Sequence, residues 1–166
     1  MRTATRLARS GLAAALAGLA AACGFHLQGS VELPTVMGHT YIESGNPDSL
    51  LTRKLVRALE DTGTVIASDR TAATAVLRLL KDDAGQRVLS VSPRGVPEEY
   101  ELYHTVSFSL EGGGRTLLEP YETTVTRDYS FDPTDVLGKA EEAQYLEDAM
   151  AEDIVQLVLR RLSFLH

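Results

Sequence analysis

The chain has 166 residues, of which 44% are hydrophobic and 23% charged, with 16 basic against 23 acidic residues, a net charge of −7 and a single cysteine. That length suits one domain with a modest core. The acidic balance excludes a general electrostatic attraction for nucleic acid or anionic lipid, and one thiol excludes a disulfide framework.

Residues 1–22 open with Arg2, Arg6 and Arg9, continue through an apolar run from Gly11 to Ala22, and contain no acidic residue. A basic start, a short apolar stretch and small residues at its end are the pattern of a secretory signal. A run of about a dozen residues is too short to span a bilayer core of roughly 30 Å as a helix. The run ends in Leu19-Ala20-Ala21-Ala22-Cys23, which resembles the lipobox of bacterial lipoproteins, where the cysteine is acylated and becomes the mature N-terminus. A secretory signal followed by an incidental cysteine is the other reading. Two or three acyl chains, at about 0.8 kcal/mol per buried methylene, would hold such a protein firmly to its membrane. A chain starting at Cys23 keeps 13 basic and all 23 acidic residues, a charge of −10. The resemblance also implies that Gly24, where an aspartate would favour inner-membrane retention, permits transfer to the outer membrane.

Residues 24–38 hold glycines and Pro34 with little periodicity, so residues 23–38 are expected to be a lipidated tether and residues 39–166 a single domain. His39 to Glu43 is a short strand candidate. Asn46-Pro47-Asp48 is expected to open a helix, with Asp48 as its cap, Leu51, Leu55, Ala58 and Leu59 on one face, and Gly63 just past its end. Ala75 to Leu80 reads as a strand, Asp82-Asp83-Ala84-Gly85 as a turn, and Arg87 to Ser92 as the next strand. Residues 99–111 alternate: Tyr100, Leu102, His104, Val106, Phe108 and Leu110 share one face, and Glu99, Glu101, Tyr103, Thr105, Ser107, Ser109 and Glu111 the other. Gly112-Gly113-Gly114 supplies a tight connection to a return strand with Leu117, Tyr121, Val125 and Tyr129 in phase.

Asp132-Pro133 reads as the start of a last helix, with Val136, Ala140, Ala143, Leu146, Met150, Ile154, Leu157, Val158 and Leu162 along one face. Acidic residues lie early in it and Arg160 and Arg161 late, as the helix dipole favours. The expected fold is α+β: a two-layer sandwich with a mostly antiparallel sheet of about four strands and two helices on one face.

No catalytic signature stands out. The four histidines, His26, His39, His104 and His166, are scattered without a metal-ligand spacing, and no nucleophile elbow, phosphate loop or dinucleotide fingerprint occurs. A non-enzyme without metal or cofactor is expected. His104, in phase with an apolar face, reads as a hydrogen-bonded core histidine.

Four segments carry a family resemblance: Cys23-Gly24-Phe25-His26-Leu27-Gln28-Gly29, Glu98-Glu99-Tyr100-Glu101-Leu102, Arg127 to Asp132 followed by Val136-Leu137-Gly138-Lys139, and Asp148-Ala149-Met150 through Leu162. In this order behind a lipobox they resemble the LptE family of LPS-assembly lipoproteins. The resemblance implies an outer-membrane lipoprotein, anchored on the periplasmic face, that sits as a plug in the LptD β-barrel, assists its assembly and helps deliver lipopolysaccharide to the outer leaflet. The polar face of 99–111 suits a water-filled lumen, and equally a solvated sheet.

Lipopolysaccharide carries phosphates, so an acidic body needs a local cation. Arg94, in Ser92-Pro93-Arg94-Gly95-Val96-Pro97, has the loop placement and guanidinium fork that suit one. Lys139 stands where the family has the lysine of its Val-Leu-x-Lys motif. A solvated turn residue and an i,i+3 partner of Glu142 are the respective alternatives. A lipoprotein binding another envelope partner, or a small lipoprotein hydrolase, remain the competing functions.

Overall fold

The computed structural model describes residues 31–165. Five strands, β1 (His39–Ser44), β2 (Val65–Ile66), β3 (Ala75–Val91), β4 (Pro97–Gly112) and β5 (Arg115–Ser130), form one sheet in the order β2-β1-β3-β4-β5. Helices α1 (Leu50–Asp61) and α2 (Val136–Ser163) complete the fold, with short 3-10 turns at Thr35–Gly38 and Arg70–Ala72. The α+β class is as expected, but the sheet is mixed: β1 pairs in parallel with both β2 and β3, while β3-β4-β5 is an antiparallel meander.

Both helices lie on one face. Leu51, Leu55 and Leu59 of α1 and Ile154, Val155, Val158 and Leu162 of α2 share a cluster with Leu77, Val106, Phe108 and Leu110 of the sheet. Met37 is fully buried in that cluster, with Val31, Leu33 and Val36 packed against it. The folded body therefore begins ahead of His39, and the stretch from Val31 is not a tether. A second, smaller cluster joins Leu102, Tyr129 and Met150, with Tyr100 stacked on Tyr129 and Phe131 edge-on to Tyr100.

The ends of α1 show how local chemistry sets its limits. The cap is Ser49, not Asp48: its hydroxyl accepts from the Thr52 N–H at 3.0 Å, while the Asp48 carbonyl accepts from Arg53. At the other end Gly63 takes φ +88°, and the Gly63 and Thr64 amides donate to Glu60 and Leu59, closing a Schellman motif.

The expected turn at Asp82–Gly85 does not exist. β3 runs unbroken for 17 residues, paired with β4 from Ala75↔Gly112 to Val91↔Pro97. Asp-Asp-Ala-Gly is turn chemistry locally, but the long partner strand overrides it. Gly85 is accommodated because the Tyr103 ring lies over it; a Cβ there would meet Tyr103 Oη at 2.7 Å. The glycine turn is as read: Gly113 and Gly114, at φ +58° and +76°, form the two-residue loop between β4 and β5.

The last helix starts later than Asp132 implies. Asp132 instead accepts from Thr134 in a local turn, and Asp135 is the cap, accepting from the Gly138 N–H at 3.2 Å. Val136, expected on the inner face, is exposed, as is Leu157.

At 12 residues α1 is about 18 Å long, whereas the 17 residues of β3 span about 56 Å. Beyond Leu80, only the early half of α2 is left to cover the sheet. This mismatch creates a distal end made of the β3–β4 loop, the end of β5 and the start of α2.

Candidate functional site

Both expected cations belong to the distal end: Arg94 lines its cleft, and Lys139 reaches Ser130 at the cleft's edge. Arg94 stands at the tip of the β3–β4 loop, held by Ser92: its carbonyl accepts from Gly95 N–H at 2.8 Å and its hydroxyl from Val96 N–H at 3.1 Å. Gly95 supplies the positive φ, +75°, that the reversal needs. Arg94 is exposed and forms no ion pair among the described residues. It lines a cleft of ≈ 800 Å³ with Val96, Pro97, Phe131 and Pro133, a volume within the usual range for small-ligand sites. Glu98 and Asp132 share that cleft, so an anion is favoured only within reach of Arg94.

Lys139 sits on the first turn of α2 with its Nζ 2.7 Å from Glu142 and 3.4 Å from the hydroxyl of Ser130, which lines the same cleft. The i,i+3 pairing is therefore real, and the lysine is half-buried. Its charge reaches its surroundings all the same. The Tyr129 hydroxyl is pushed above its ordinary pKa by burial and by Tyr100, Glu147 and Glu142, and Lys139 partly opposes the rise. Tyr129 Oη donates to Gln86 across the sheet at 3.1 Å, tying β5 to β3 at this end. The Asp132 carboxyl is held below its ordinary value by its hydrogen bonds to the Thr134 hydroxyl and amide.

His104 is buried, as expected of a core histidine, and its Nε2 lies 2.7 Å from Asp82 Oδ1. That hydrogen bond, with support from Ser49 and the His104 charge, keeps Asp82 below its ordinary pKa against the opposing effect of burial. A proton relay to a nucleophile would need the histidine between serine and aspartate. Here Asp82 lies between Ser49 and His104, and the Ser49 hydroxyl is committed to capping α1. Asp82, in a segment with turn composition, lies instead within β3, where its pairing opposite Val106 brings it to His104.

Among the described residues no element covers the sheet face away from the helices, and that face is hydrophilic. Arg70 and Arg78 bridge Glu43 and Glu111 in a closed ring of four contacts between 2.7 and 3.2 Å. Lys81 pairs with Glu122, Arg87 with Glu101, and the Thr105 and Thr124 hydroxyls meet at 2.9 Å. Cys23 lies outside the described residues.

Residues 37–162 match the model of the LptE family, described as lipopolysaccharide-assembly. The LPS-assembly lipoprotein LptE of Yersinia enterocolitica is 28% identical over 147 residues, covering 88% of this chain and 70% of the relative. Among solved structures, the lipoprotein B of Nitrosomonas europaea aligns with a TM-score of 0.70 at 28% identity, over 84% of this chain and 90% of that one. The rare lipoprotein B of Shewanella oneidensis aligns with a TM-score of 0.64 at 29% identity, over 75% and 93%. The expected motifs and the observed fold thus converge, and the chain belongs to the LptE family of lipopolysaccharide-assembly proteins.

Proposed function

We propose that this chain is an outer-membrane lipoprotein, anchored through Cys23 on the periplasmic face, that plugs the LptD β-barrel, assists its assembly and takes part in moving lipopolysaccharide to the outer leaflet. The reading rests above all on the family match, which spans nearly the whole folded body. The uncovered sheet face supports the plug role: its ion pairs and hydroxyls suit contact with a polar, water-filled lumen better than with lipid. Arg94 and Lys139 are the cations that would hold lipopolysaccharide phosphates, Arg94 as an exposed fork and Lys139 through exchange of its Glu142 partner. No catalytic step is assigned: among the described residues, the Ser49 hydroxyl beside the buried His104–Asp82 pair is engaged in capping α1.

Affinity purification of the tagged, lipidated chain from a detergent extract tests the role. A stable one-to-one complex with the barrel is expected. Recovery of the chain alone, or with a periplasmic partner in place of the barrel, would overturn it.

A further inference from the structure

The opposite end of the sheet, where the chain enters the folded body, has no role in the reading above. Val31, Leu33 and Val36 pack there against the core. The segment around Val36, the β4–β5 hairpin and the residue after α2 enclose a cleft of ≈ 210 Å³, lined by Pro34, Val36, Leu117 and Leu165 with Arg115 at its mouth. Gly112 shapes the floor: a Cβ at that position would meet Leu117 Cδ1 at 2.8 Å and Val36 Cγ2 at 3.0 Å. Arg115 is the single charged residue of the lining and is exposed. It forms no ion pair among the described residues, while Glu111, the acid of that hairpin, is held by Arg70 at 2.7 Å and Arg78 at 3.0 Å. The end of α2 has the same sign. Eight acidic residues lie from Asp132 to Asp153 and none follows, whereas the last turn carries Arg160 and Arg161, the latter 4.6 Å over the Tyr121 ring. An apolar cleft with a free cation at its mouth suits an amphiphile with an anionic head. Chain length narrows the choice: eight residues separate Cys23 from Val31, at most about 29 Å of extended chain. With Cys23 acylated, so short a lead keeps this end beside the headgroups of the leaflet that holds the acyl chains.

We infer that the cleft at the β4–β5 hairpin docks an anionic glycerophospholipid of that leaflet, with Arg115 holding the phosphodiester and Pro34, Val36, Leu117 and Leu165 receiving the first methylenes of an acyl chain. The inference rests on the proposed acylation of Cys23 and is independent of the distal cleft and of lipopolysaccharide. An acyl anchor alone fixes one point of the chain and leaves the body free to turn. A lipid held in the cleft fixes a second point and sets which end the body presents to the membrane. Once the anchor is inserted this second contact is intramolecular, so a weak one suffices.

The test places the mature acylated chain in phosphatidylcholine vesicles containing phosphatidylglycerol with a photoreactive diazirine near the head of one acyl chain. Adducts, mapped by mass spectrometry, are expected on residues 31–38, 112–118 and 164–165. Arg115→Glu, in the exposed hairpin, is expected to lower their yield by about fivefold or more. Leu165→Gln, outside every helix and strand, gives a loss of the same kind through the apolar half without touching the charge. A wild-type chain with acylated Cys23 whose adducts avoid these three segments would overturn the cleft contact alone, and so would R115E and L165Q chains that keep the wild-type yield. Loss of the adducts when unlabelled lipopolysaccharide replaces an equal share of the phosphatidylcholine would overturn the phospholipid as occupant. A mature N-terminus without acyl chains would overturn the anchor reading, and the inference with it.

Discussion

At the scale of single residues, the Asp82–His104 pair is the polar seam between the two apolar clusters of the core. Val106 belongs to one and Leu102 to the other, with His104 between them on the same strand. Because the folded state lowers the Asp82 pKa, its contribution to stability is complete above the ordinary carboxylate value of about 3.9 and fades as pH falls through the lower folded value. Asp82→Asn should cost about 1.5–3 kcal/mol at neutral pH, as expected for a hydrogen bond to a charged group. Thermal melts from neutral to pH 2 should show that difference shrinking below about pH 4. Lys139→Asp should weaken lipopolysaccharide binding well beyond the fraction of a kcal/mol of a surface ion pair, and because the lysine is half-buried and paired with Glu142 it should also lower the melting temperature modestly. Intact binding by that variant would remove Lys139 from the site. The position of Lys139 beside Glu142 was legible from i,i+3 spacing, and the tip placement of Arg94 from its flanking prolines. The partner of His104 was not, because the residues that supply it look like a turn.

At the scale of elements, the sequence was most readable where one face is uniformly apolar. The alternation over 99–111 gives the β4 register correctly, and Leu102, Val106, Phe108 and Leu110 are all buried. Phe108 is fully buried against both helices' cluster and edge-on to Tyr121, so Phe108→Ala should cost on the order of 3–5 kcal/mol in denaturant unfolding. Legibility failed where pairing between distant segments decides. The β4–β5 register slips between Phe108 and Leu110, which buries Leu118 although the simple alternation through Leu117 and Tyr121 leaves it out. The start of α2 was misplaced because Asp132 and Asp135 both have capping chemistry. Only Asp135 meets a helical amide, while Asp132 spends its carboxylate on Thr134. Asp135→Ala should therefore cost about 1 kcal/mol and Asp132→Ala less, as read from thermal melts.

At the scale of the whole molecule, an acidic body has a sheet with one face bare among the described residues and is proposed to be lipid-anchored at Cys23. No helix among the described residues is long and apolar enough to cross a membrane; the proposed attachment is through an acylated Cys23. Cys23→Ala should release the chain from the membrane fraction or leave its signal uncleaved. Mass spectrometry of the mature N-terminus reads the difference. The helix-bearing layer was legible in two amphipathic segments; the parallel pairing of β1 with β2 and β3 was not, because a helical crossover is compatible with parallel pairing but the short strands β1 and β2 carry no signal of which strand they join. The bare face is the surface proposed to meet the barrel. A photo-crosslinking side chain placed at Ser107 or Thr126, both on that face, tests it in intact outer membranes. Covalent adducts with the LptD barrel from both positions are predicted. Reaction of both positions with water alone, while the chain stays in the outer membrane, would contradict it.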